Sequence, residues 1–214
     1  MYLSKLTFHN NSVKARWLIA SPYQLHKAIL RAFPDAIDGG MGRVLFRIDH
    51  SGESGNSYLL VQSEKRPDWQ KAERLLGCLS DQPQTKPLQL NPQKGQVFYF
   101  RLLANPTVKR RKNDSLPSKR LGLLREEDQI AWLRSKAEKG GFSLLSCTAT
   151  AKEMVKDIKE NGAAVHRLTL LSVCFEGVLT VENTETFLET IRSGIGSAKG
   201  LGFGLLSLAP LVSQ

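Results

Sequence analysis

Apolar and polar positions along this chain fall into two periods, one of about two residues and one of about 3.6. Residues 2–8, Tyr-Leu-Ser-Lys-Leu-Thr-Phe, read as a first strand. Ser21-Pro22 then opens a helix. Serine can accept from first-turn amides, proline suits the first helical position, and Pro34 stops the chain after Phe33. Leu25, Ala28, Ile29 and Ala32 share one face at i, i+3, i+4, i+7 spacing and are expected inward. Tyr23, His26, Lys27 and Arg31 fall on the other side. Residues 43–48 alternate, with Val44, Phe46 and Ile48 pointing one way and Arg43 and Arg47 the other. Residues 57–62 give a hairpin partner, and Asp68–Leu76 a second helix. The proline-rich stretch from Gln82 to Gly95 is a short final strand at best, or a linker.

The same order returns in the second half. Gln96–Leu103 is a strand, followed by a basic loop. Glu126–Lys139 is a helix with Ile130, Leu133 and Ala137 inward and Gly140 at its end. Phe142–Thr150 and Val165–Phe175 are strands, separated by a polar segment carrying Lys152, Lys156 and Lys159. Asn183 or Thr184 caps a helix with Phe187, Leu188 and Ile191. A last strand, Leu205-Leu206-Ser207-Leu208, closes the unit. Two successive βαββαβ units predict an α+β protein of two tandem ferredoxin-like domains, residues 1–92 and 96–214, each with helices on one face of an antiparallel sheet.

Charge sharpens this picture. The chain of 214 residues has 30 basic and 20 acidic side chains, a net charge of +10. Between Arg101 and Arg125 eight basic residues, among them Lys109, Arg110, Arg111, Lys119 and Arg120, face only Asp114. Such an excess favours a polyanionic partner, here nucleic acid. Hydrophobic residues at 41% suffice for a packed core. No run of about 18 apolar residues appears, so no membrane span is expected. The N-terminus has no signal-peptide layout, and three scattered cysteines fit a reducing cytoplasm without metal spacing.

Five of the 17 glycines lie between Gly194 and Gly204, in Gly194-Ile-Gly196-Ser197-Ala-Lys199-Gly200-Leu-Gly202-Phe-Gly204. Glycine lets backbone N–H groups approach a ligand closely, and phosphate is the usual ligand of such a loop. The grammar of a nucleotide loop is missing. Lys199 is followed by Gly200 rather than Ser or Thr, and the loop runs from helix to strand instead of strand to helix.

Of four histidines, His9 and His50 lie at strand ends among polar residues, and His166 begins a strand. His26 differs, because it shares a helix face with Tyr23 and two cations. Imidazole titrates near neutrality and can move a proton in phosphodiester cleavage. RNA supplies its own nucleophile, the 2′-hydroxyl, so such a site needs no metal; no carboxylate or His/Cys cluster stands out to hold one. Aromatic residues are only 7%, which disfavours base stacking on single strands as the main mode.

Ser-Pro-Tyr23-Gln-Leu-His26, Leu103-Ala-Asn-Pro-Thr107, Trp132-Leu133 and the glycine stretch together resemble the CasE family, CRISPR RNA endonucleases of the type I-E Cascade complex. The resemblance covers Met1 to about Leu211. It implies a metal-independent, cofactor-free endoribonuclease that cuts precursor CRISPR RNA at the 3′ base of each repeat hairpin. The products would be a 2′,3′-cyclic phosphate or 3′-phosphate and a 5′-hydroxyl, with the cut RNA retained in Cascade. His26 maps to the proton-transfer residue and Tyr23 to a group that positions it or binds the scissile phosphate. Lys152, Lys156 and Lys159 are candidates for a basic hairpin against the RNA stem. Lys27, Arg31, the basic loop, Gly194, Gly196, Ser197, Lys199, Gly200, Gly202 and Gly204 are candidates for further RNA contact. Expected partners are the repeat hairpin and other Cascade subunits, with a cytoplasmic location, no membrane, and a monomer when alone. The alternative is an RNA-binding subunit of the same superfamily that does not cut.

Overall fold

The computed structural model of the protein describes residues 1–9, 11–34, 40, 42–50, 56–110, 119–161 and 164–211. They divide into two compact units. The first comprises Met1–Leu90, Asp157–Arg167 and Lys199–Leu205; the second comprises Asn91–Lys156, Leu168–Ala198 and Leu206–Gln214. The division runs through the glycine stretch, which the sequence reading assigned whole to the C-terminal domain.

In the first unit β1 (Tyr2–Thr7) lies between β3 (Ser57–Ser63) and β4 (Gln84–Pro87), with β2 (Val44–His50) outside β3; every pairing is antiparallel. The start of the proline-rich stretch is therefore an edge strand. Pro87 ends it, where a missing N–H costs least. Helices α1 (Val13–Ile19), α2 (Pro22–Leu30) and α3 (Glu73–Leu76) pack on one sheet face. Leu6, Phe8, Val44, Phe46, Leu59 and Val61 meet Leu18, Leu25, Ile29 and Leu75 in one buried cluster. Helix α1 was not foreseen, although Ser12 caps it by accepting from the Ala15 amide. The helix expected over 68–76 is a 3-10 turn, Trp69–Lys71, followed by the short α3, with Asp68 accepting from the Gln70 amide.

The second unit repeats the strand order. β5 (Val97–Ala104) lies between β10 (Leu206–Pro210) and β9 (Ala164–Val181), and β8 (Phe142–Asn161) lies outside β9. Relabelled within each unit, both sheets read 4-1-3-2, the ferredoxin-like order that the βαββαβ pattern implied. Alternate residues Phe98, Phe100, Leu102 and Ala104 of β5 are buried with Leu133 and Ala137 of α4 (Glu126–Lys139) and Phe187 and Ile191 of α5 (Thr184–Ser193). Asn183 is the cap of α5, accepting from the Thr186 amide at 2.9 Å. On α4 the fully buried position is Gln129 rather than Ile130, because its amide donates to the Leu123 carbonyl at 2.7 Å. Gly140 is the C-cap of α4 as expected, and the left-handed residue follows it at Gly141.

Two further corrections concern the basic segments. The flanks of the basic loop pair as β6 (Thr107–Arg110) and β7 (Lys119–Gly122). The segment of Lys152, Lys156 and Lys159, expected between two strands, is itself strand, since β8 continues to Asn161.

A methyl group at Gly177 would clash with the Ser146 carbonyl oxygen, so β8 and β9 approach only because that Cβ is missing. Gly177→Ala should lower stability by roughly 1–3 kcal/mol, as forced overpacking does. Urea unfolding followed by circular dichroism measures this, and an unchanged midpoint would show that the strands part freely.

Candidate active site

Helix α2 presents the residues singled out for chemistry. Ser21 is its N-cap residue, but its side chain makes no capping hydrogen bond. Instead the Tyr23 amide donates to the Asp157 carboxylate at 2.6 Å. A carboxylate satisfies an orphan first-turn amide and complements the positive end of the helix dipole. The two residues are 134 positions apart, so no local pattern announces the contact. Leu25, Ala28 and Ile29 are buried as expected, and Lys27 and Arg31 are exposed. The Lys27 ammonium lies 5.2 Å from the centre of the Tyr23 ring.

His26 is half-buried and its ring stacks on Phe46, with centroids 6.0 Å apart and planes 16° from parallel. The 3-10 turn Lys199–Leu201 lies against both α2 and β2. A Cβ on Gly200 would stand 3.2 Å from His26 Nε2, and one on Gly202, at φ +88°, 3.2 Å from the Phe46 ring. The bareness of these two glycines is thus occupied by protein side chains. Gly196 follows the same rule in the second unit, where its Cβ would lie 3.1 Å from the Trp132 ring. Ala198 has φ 60°, a left-handed conformation that a side chain adopts at a cost. Gly194 and Gly204 are buried with positive φ, Lys199 is half-buried, and the Ser197 hydroxyl oxygen is buried.

The far end of the turn is tethered by Arg47. It forms a bidentate pair with Asp49, Nε to Oδ1 at 2.9 Å and Nη2 to Oδ2 at 2.8 Å, both side chains 3% exposed. Its Nη1 donates to the Leu205 carbonyl at 3.3 Å. Opposite charges at i and i+2 on a strand were the available signal, since alternation puts both on one face. The sequence reading turned Arg47 away from the core without pairing it. Removing one member of such a pair leaves a buried charge, which typically costs several kcal/mol.

Burial holds the His26 imidazole below its ordinary value near 6.5. Nδ1 is buried with no hydrogen-bond partner among the described residues, so nothing offsets a charge there. At neutral pH the ring is mostly neutral and can accept a proton.

The remaining candidates lie on the basic strands. Lys109 is the register partner of Arg120, and Arg110 that of Lys119, so cations stand opposite cations on a two-stranded ribbon. Like charges across strands repel, and a polyanion relieves them. Lys109, Arg120 and Lys156 are exposed. Arg111 lies outside the described residues, as do the side chains of Arg110, Lys119, Lys152 and Lys159. No three His, Cys, Asp or Glu among the described residues converge where they could hold a metal ion. No described helix is long and apolar enough to cross a membrane.

The family model described as CRISPR associated protein matches residues 1–210. The CRISPR-associated endoribonuclease Cse3 of Thermus thermophilus is 34% identical, over 98% of this chain and 100% of its own length. The CRISPR system Cascade subunit CasE of Escherichia coli is 32% identical, over 99% of this chain and all of its own. A solved structure of CRISPR endoribonuclease Cse3 bound to 19 nt RNA superposes with a TM-score of 0.84, at 32% identity over 98% of this chain and 100% of the other.

An NMR titration of His26 should give a midpoint below 6.5. The unfolded chain binds this proton more tightly, so His26 lowers stability as pH falls below 6.5 and imposes no penalty above it. Phe46→Leu, which thins the ring's cover, should move the midpoint upward. A wild-type midpoint at or above 6.5 would mean that burial does not govern the ring.

Proposed function

Because the chain belongs to the family of CRISPR-associated proteins that includes Cse3 and CasE, we propose that it is an endoribonuclease that processes precursor CRISPR RNA and stays with the product in Cascade. The observation that carries the site assignment is His26, stacked on Phe46 and closely approached by Gly200, with its proton affinity depressed. A neutral imidazole takes the proton from the 2′-hydroxyl beside the scissile phosphate. The freed oxygen attacks phosphorus, the bond to the 5′-oxygen breaks, and that oxygen gains a proton from solvent. The products are a 2′,3′-cyclic phosphate and a 5′-hydroxyl, at the 3′ base of the repeat hairpin. Tyr23, one turn before His26, positions the phosphate. The scheme needs no metal, because the 2′-hydroxyl is the internal nucleophile and His26 moves its proton.

The basic surfaces supply affinity. Lys109 and Arg120 of the β6–β7 ribbon, with Lys156 of β8, offer phosphate contacts suited to an A-form stem, whose bases are hidden in a deep groove. Lys152, Lys159, Arg110, Arg111 and Lys119 belong to the same two segments. Lys199 and the amides of the glycine turn lie next to His26 and approach the RNA backbone there. Two folding domains, 1–92 and 96–214, would share this work in the cytoplasm, the C-terminal one lending Lys199–Leu205 to the first unit.

Wild type should cut a repeat-hairpin RNA in EDTA, and His26→Ala should bind it but cut about 10²–10⁴-fold more slowly, the usual contribution of general acid–base catalysis. A 2′-deoxy substitution just upstream of the cut should abolish cleavage. Cleavage by His26→Ala at the wild-type rate would show that the proton chemistry is not at His26, and loss of cleavage in EDTA would restore a metal to the mechanism.

A further inference from the structure

A groove of about 510 Å³ runs between α2 and α3, lined by Lys27, Arg31, Lys71 and Arg74, with Glu73 as its acid. A second hollow of about 500 Å³ shares Arg74 and Glu73 and continues to Lys14 and Trp17 of α1. The Trp17 ring is 46% exposed, and the Arg74 guanidinium lies 4.7 Å from its centre. Lys71 makes a loose pair with Asp68 at 3.8 Å, both side chains more than half exposed. No candidate RNA contact drawn from the sequence includes Lys14, Trp17, Lys71 or Arg74.

We propose that this groove binds single-stranded RNA on the 3′ side of the cleaved bond. The inference rests on the endoribonuclease reading above. A cut at the 3′ base of a hairpin leaves the stem upstream, so the unpaired strand adjoining the reaction on that side is the downstream one. That strand must leave the scissile phosphate along α2 or away from it. Lys27 follows His26 directly, and Arg31 lies one turn further. Residues four apart on a helix stand about 6 Å apart along its axis, a spacing at which successive phosphates of an extended strand can be met in turn. Lys71 and Arg74 face them across the groove. Beyond these cations a half-exposed indole offers a face for a base. Cations that follow a backbone, joined to an aromatic platform, make a site for single-stranded nucleic acid. The charge selects the occupant: five cations, Lys14 included, stand against Asp68 and Glu73. An apolar segment of a protein subunit would leave most of them unanswered.

The test uses the full chain and an uncleavable hairpin RNA, 2′-deoxy at the cut, with and without an eight-nucleotide 3′ tail. Fluorescence anisotropy reads binding across a salt series. For wild type the tail should tighten binding roughly tenfold, the factor of one stacked base or a few phosphate contacts. It should also steepen the salt dependence by about 0.7 per phosphate contacted. Lys71→Glu, on an exposed turn where folding is not at stake, and Lys71→Glu/Arg74→Glu should lose the tail's gain while binding the tailless hairpin as wild type does. Trp17→Leu should lose part of it. A gain that persists in the double variant, or no gain in wild type, overturns the proposal. So does a double variant that keeps the gain but no longer assembles with other Cascade subunits, because the groove would then be a protein contact. The tail oligonucleotide alone separates the two readings. If wild type binds it and the double variant does not, while neither binds the hairpin, the groove stands and the hairpin-processing reading falls.

Discussion

A backbone without a Cβ at residue 200 is what lets the segment Lys199–Leu205 lie against the His26 ring, and much of the first unit is arranged around that approach. Any side chain there would press on Nε2 from 3.2 Å. Gly202 plays the same part toward Phe46, on which the imidazole stacks. Arg47, locked to Asp49, holds the end of the segment through the Leu205 carbonyl. Asp157 meanwhile fixes the start of the helix that carries the ring. Three segments distant in sequence thus position one side chain, the proposed proton-transfer group, and a small misplacement of such a group costs rate steeply.

The electrostatics divide in a useful way. The chain is strongly basic, yet His26 is shifted by burial alone, and it is shifted toward neutrality. Cations that would hold phosphate stand on exposed strands, including a ribbon where Lys109 meets Arg120. In the proposed scheme most of the affinity comes from exposed cations, while the proton chemistry rests on one buried ring. Salt should weaken the first strongly and leave the second nearly untouched.

The repeated strand–helix order was legible because alternation in β2 and β5 and the apolar stripe of α2 are local patterns. The 4-1-3-2 order of both sheets followed from it. Tyr23 and His26 were legible as neighbours of two cations on one helix face. The reach of Asp157 to the Tyr23 amide, and of Gly200 to His26, was not, because contacts over more than a hundred residues leave no periodic trace. The glycines illustrate the difference. Composition announced a cradle, but in the fold Gly196, Gly200 and Gly202 make room for Trp132, His26 and Phe46. Helix α1 was missed because Val13 and Trp17 are exposed, which blurs the apolar stripe in seven residues. The interrupted helix over 68–76 was read as continuous because its break at Ala72 is a backbone kink without Gly or Pro.

The claim on which the account rests is that the fold sets the proton affinity of His26 and that this affinity governs the reaction. Single-turnover cleavage of the repeat hairpin at subsaturating protein, whose pH profile reports the free protein, beside the NMR titration of His26 in the free protein, tests it directly. The rate should fall on the acid side with a midpoint below 6.5 that coincides with the His26 titration, since the neutral ring is the working form. A rate that stays level while His26 becomes protonated would contradict the account.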